Sequence, residues 1–224
     1  MNTELPFSCE LEGVAVVLVG NFNPAIFQPM WLAKNQLVRE EEAQAATIQL
    51  IRPELSSFVI GAINVVVVTN QFQAETAALD KGEVLKDLVV GCFRLLEHTP
   101  ISSLVISRHM HFRMPSTEAW NRVGHMIVPK SPLWDGILEN PGTRVAEIEG
   151  TRPTAPSGKL HFRIEPSLRV PCSVYIGTGE RYEASTCAKD TTLFDVLLGQ
   201  WADAQRFARE SAEQLLGRCL EEKA

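Results

Sequence analysis

The chain has no long apolar run. Nothing in it approaches the ~18 uninterrupted apolar residues of a membrane span, which argues against a transmembrane segment. Its first residues, MNTELPFSCELEG, carry neither a basic leader nor an apolar stretch, so no secretory signal is expected. Cysteine is sparse: Cys9, Cys92, Cys172, Cys187 and Cys219 are odd in number, widely spaced and form no C-x-x-C pair. That pattern predicts neither a disulfide framework nor a zinc site and fits a reduced, cytoplasmic protein. Catalytic signatures are missing too: no G-x-S-x-G, no H-E-x-x-H and no kinase set occurs. Gly177-Thr178-Gly179-Glu180-Arg181 lacks the Gly-Lys-Ser/Thr ending of a phosphate loop and the third glycine of a dinucleotide fingerprint, so it reads as a turn. No cofactor is expected. The formal net charge of −6 argues against sequence-specific nucleic-acid binding.

What is present is an ordinary globular composition, 45% hydrophobic and 21% charged over 224 residues. Strand patterns fall at 14–22, 47–52, 58–64, 65–69, 101–113, 144–151, 159–165 and 172–178. Helical periodicity falls at 28–46, in one or two pieces, and at 82–98, where Leu85, Leu88, Val89, Cys92, Leu95 and Leu96 form a stripe. Ser116 or Thr117 can cap a helix carrying Trp120, a short helix is expected around Leu133–Leu138, and the longest runs from Leu193 to about Leu220. Thr192 with Asp195 makes a capping-box start for that last helix. Its stripe carries Leu197, Trp201, Ala204, Ala208, Ser211, Leu215 and Cys219.

The stretch VVVVTNQFQAET (65–76) reads as a buried strand entering a polar turn and is echoed by VYIGTGERYEAST (174–186): Phe72, Ala74 and Thr76 match Tyr182, Ala184 and Thr186. Arg52-Pro53 and Arg152-Pro153 echo each other as strand ends. The expectation is an α+β protein of two similar β-α-β-β(-β)-α halves, residues 1–99 and 100–224. The halves would form one curved, mainly antiparallel sheet with helices on one face.

Two strands carry the candidate binding surface. On Arg108-His109-Met110-His111-Phe112-Arg113, alternation puts Met110 and Phe112 inward, with Arg108 awkwardly among them, and His109, His111 and Arg113 outward. On Leu160-His161-Phe162-Arg163-Ile164-Glu165 it puts His161 and Arg163 outward. Guanidinium forks and imidazoles suit an anionic partner; the plainer reading is the solvated side of a sheet. His109, His111 and His125 are a weighed zinc trio without an acidic ligand nearby, and no metal site is assigned. Trp134, flanked by proline, is a candidate exposed anchor, and Trp201 marks the last helix as an alternative contact.

The repeated strand–helix–strands–helix arrangement, with a long amphipathic last helix carrying Trp201, resembles a sporadically distributed, uncharacterised bacterial family of duplicated α+β proteins. That resemblance implies an accessory component of a bacterial system, anti-phage defence included. The leading expectation is a non-catalytic binding or assembly protein that contacts another protein or an anionic ligand, alone or as a homo- or hetero-oligomer. Two alternatives stay open: a small enzyme using the same histidines and arginines on an anionic substrate, and a carrier of an apolar ligand between the sheet and the last helix.

Overall fold

The computed structural model describes residues 5–152, 158–187 and 191–221. In chain order the elements are β1 (Ser8–Gly20), α1 (Pro29–Lys34), α2 (Glu40–Gln44), β2 (Thr47–Arg52), β3 (Leu55–Ile60), β4 (Ile63–Val68), β5 (Gln71–Thr76), α3 (Gly82–Leu95), β6 (Ile101–Arg113), α4 (Thr117–Ile127), β7 (Ala146–Thr151), β8 (Lys159–Pro166), β9 (Ser173–Glu183) and α5 (Leu193–Leu220). The strands make one antiparallel α+β sheet in the order β2-β3-β4-β5-β1-β6-β9-β8-β7. Among the described residues no helix is long and apolar enough to cross a membrane.

Contacts divide the chain into two compact units of non-consecutive segments, whereas the sequence reading draws its boundary near residue 100. The first unit comprises the described residues of Met1–Glu12, Arg108–Gly179 and Arg206–Ala224; the second comprises Gly13–Ser107 and Glu180–Gln205. The division follows from length: β1, β6, β9 and α5 are long enough to contribute residues to both.

In the second unit alternate strand residues (Val14, Val16, Leu18, Val65, Val67, Leu104 and Ile106) meet helix residues Leu32, Leu85, Val89 and Leu197 in one core. An aromatic knot fills it. Phe72 meets Phe93 edge-on at 5.1 Å, and Phe194 stacks on Phe93 at 5.5 Å. Gly61 turns β3 into β4 with a positive φ of 56°, in the left-handed region that favours glycine. In the first unit Met110, Phe112, Ile164, Val174 and Ile176 pack against Val123 of α4 and Ala212 and Leu216 of α5. Both helices thus bury against one sheet face. Local signals hold where they were strongest: Ser116 accepts the Ala119 N–H at 3.2 Å, and the Thr192 and Asp195 side chains accept each other's backbone N–H groups.

Four expectations change. The segment read as a polar turn is strand β5, because in Gln71-Phe72-Gln73-Ala74-Glu75-Thr76 every second residue is buried. The echoed stretches therefore differ locally: 65–76 is a hairpin, whereas 174–186 is one long strand followed by a 3-10 turn at Ala184–Thr186. Around Leu133–Leu138 the chain makes successive turns and no helix; Pro132 and a left-handed Gly136 (φ 76°) leave too few residues to propagate one. Helix α3 ends at Leu95, not near 98, and of its last two stripe residues Leu96 packs on the core while Leu95 is half exposed. The turn read at TAPSG, apart from Gly158, and Pro153 lie outside the described residues.

Candidate functional site: a histidine–tyrosine cluster on the helix-free sheet face

In the first unit, β6, β8 and β9 direct to the side away from α4 and α5 the residues that alternate with the core. Tyr175 on β9 joins His109 and His111 on β6 there. Its hydroxyl lies 2.6 Å from His109 Nδ1, and the two rings are nearly parallel, 12° apart with centroids 6.0 Å apart. The His111 ring sits 5.0 Å from the same tyrosine. Gly177, two residues along β9 and on the same face, provides the room: a Cβ there would stand 2.5 Å from the Tyr175 hydroxyl.

His111 is buried, 8% exposed, and its Nδ1 lies 2.8 Å from Ser167 Oγ in the β8–β9 turn. That oxygen already accepts the N–H groups of Arg169 and Val170. Its own hydrogen therefore goes to Nδ1, which leaves the neutral ring protonated on Nε2. Burial pulls the His111 pKa below the ordinary histidine range, helped by the nearby charges of Arg169 and His109 and opposed by Glu165.

Two arginines of this face, Arg113 and Arg163, are ion-paired. Arg113 donates to Glu10 at 3.1 Å. Arg163 bonds Glu147 and Glu165, each at 2.8 Å. Hydrogen bonds to these carboxylates, above all Glu165, hold the Arg163 pKa above its usual value. The Arg163 fork is thus spent on carboxylates, whereas Arg113 engages Glu10 through Nε alone. His161 stands on the same face of β8 opposite Glu149 of β7. Arg108, the awkward cation on the core side, is met there by Glu12 at 2.6 Å, and Glu12 also accepts from Arg209 of α5 at 3.1 Å.

The remaining candidates lie elsewhere. Trp201 is 4% exposed in the core of the second unit and presents no contact surface. Trp134 is 42% exposed in the turns after α4. His125 lies on α4, across the sheet from His109 and His111, so the weighed imidazole trio does not assemble. Among the described residues no group of three or more His, Cys, Asp or Glu is placed to hold a metal. Tyr175, Ser167, Gly177 and the paired glutamates escaped the sequence reading. The usable signals were the Tyr-x-Gly spacing on one strand face and the alternating Glu147 and Glu149. No family model matches the chain, and no curated protein matches it significantly.

Proposed function

We propose that this is a non-catalytic binding or assembly protein and that the helix-free face of the first unit grips a partner protein. The observation that carries the reading is the His109–Tyr175–His111 cluster. It is held by two side-chain hydrogen bonds and by the space over Gly177, and ion-paired arginines and glutamates surround it. A preordered aromatic centre with a charged rim is the anatomy of a binding hot spot, and ordering it beforehand lowers the entropy lost on association. The ion pairs of Arg113 and Arg163 give this face mixed charge and favour a protein surface over a simple anion. An accessory role in a bacterial system, anti-phage defence included, is the pathway-level form of this proposal and rests on the resemblance of arrangement. The same proposal takes the halves as copies of one unit, supported by the repeated order of long strand, helix, meander and helix. Half-against-half comparison of related chains tests it; matches no better than shuffled halves would refute it.

The functional test is quantitative affinity purification from the source cell with the wild type and with Tyr175→Ser. A stoichiometric partner lost only from the variant supports the reading. Equal recovery with both proteins refutes it.

A further inference from the structure

A pocket of about 110 Å³ opens in the first unit between α4, the chain that follows it and the ends of β7, β8 and β9. Trp120, Val123, Ile127, Ile164 and Val174 give it apolar walls, and Lys130 is its one buried cation. Lys130 is only 8% exposed and donates two hydrogen bonds, to the Gly124 carbonyl and to Thr143 Oγ1. Gly124 lies in the last turn of α4, where carbonyl groups and the negative end of the helix dipole stabilise an ammonium. Two of the three ammonium hydrogens are thereby used. Among the described residues no carboxylate pairs with Lys130, and desolvation pulls its pKa below the ordinary lysine range. A buried cation answered only by neutral acceptors attracts an anion into the same low-dielectric site.

We propose that this pocket binds a small free monocarboxylate, with its apolar body among the five walls and its carboxylate on the Lys130 ammonium. A single ammonium with one hydrogen left to donate supports one carboxylate and not two. Glu165 lines the pocket, but its carboxylate is held by Arg163 on the helix-free face and does not answer Lys130. His125, exposed on α4, is a further donor at the mouth. The volume limits the body: the pocket is smaller than the ~150 Å³ dry cavity that admits benzene but opens to solvent, so a short branched chain fits within it and a phenyl ring, entering in part, is the upper size. This site is separate from the histidine–tyrosine face and stands or falls independently of it.

The test is calorimetric titration of the full chain with benzoate and with benzamide, its neutral counterpart. Benzoate is expected to bind about tenfold more tightly than benzamide, and Lys130→Met is expected to erase the difference. Because Lys130 also closes the end of α4, a second variant leaves its hydrogen bonds in place. Ala146→Phe fills the pocket from β7, where Ala146 pairs with Ile164, and is expected to abolish benzoate binding. Benzoate binding no better than benzamide, absent up to about 10 mM, or unchanged in Ala146→Phe overturns the proposal.

Discussion

Replacing Gly177 with alanine isolates the packing that holds the histidine–tyrosine cluster. In a strand, glycine is ordinarily worse than alanine by about 0.5–1 kcal/mol, so an unhindered Gly→Ala change stabilises. Gly150 on β7 is such a position, with no heavy atom within 4 Å of an added Cβ. At Gly177 the new Cβ would lie 2.5 Å from the Tyr175 hydroxyl, 3.0 Å from Cζ and 3.2 Å from Cε1. The ring must swing away, losing its 2.6 Å bond to His109 and its parallel contact with that imidazole. The bond contributes about 1 kcal/mol net and the ring contact about 0.5–1.5 kcal/mol. Set against the gain expected of alanine, these make Gly177→Ala destabilising by about 1 kcal/mol. Gly150→Ala should stabilise by about 0.5–1 kcal/mol, so the two substitutions differ in sign. Urea unfolding at constant m-value reads both. Tyr175→Phe removes the closest colliding atom, so a double-mutant cycle should show coupling of about 1 kcal/mol between positions 175 and 177. Additive effects, or a Gly177→Ala as stable as Gly150→Ala, would refute the reasoning.

Glu12→Gln should cost about 2–3 kcal/mol in urea unfolding, because Arg108 and Arg209 lose a shared, largely buried carboxylate. Arg113→Ala, whose pair with Glu10 is solvent-exposed, should stay within about 0.5 kcal/mol. His111 has a folded-state pKa below its unfolded value of ~6.5. Its contribution to stability is therefore complete above that pH and declines as pH falls from there through the folded value. Relative to His111→Asn, the wild type should lose urea midpoint progressively below about pH 6.5, and parallel curves would remove the effect. Cys92 is 1% exposed and burial raises its pKa to about 12. A thiol reagent near pH 8 should leave Cys92 unmodified in the native protein and label it in denaturant; native labelling mapped to Cys92 by mass spectrometry would contradict its burial.

Elements whose pattern is carried by neighbouring residues were legible in the sequence. β2, β6 and α5 occupy the expected spans, since alternation or a 3.6-residue stripe needs no knowledge of what lies across from it. Period-2 alternation also placed His109, His111 and Arg113 on one side of β6 and His161 and Arg163 on one side of β8. Gln71–Thr76 reads as a turn although its alternation is clean, because Gln71, Gln73, Glu75 and Thr76 make the stretch polar and leave Phe72 its one large apolar residue. Leu133–Leu138 failed for the opposite reason: apolar content without enough chain between breakers.

Within β6, β8 and the first turns of α5 the sequence by itself determined which residues face the core and which face away, because pleat and helical pitch impose that locally; at the end of α5 the core takes Ala212 and Leu216 in place of Ser211 and Leu215. It could not say what those outward residues touch. Tyr175 reaches His109, Ser167 reaches His111, Glu10 neutralises Arg113, and Lys130 turns back onto Gly124 to line a pocket. Each pairing joins positions set by strand order, register and chain return, which arise from long-range packing and leave no periodic trace in the chain.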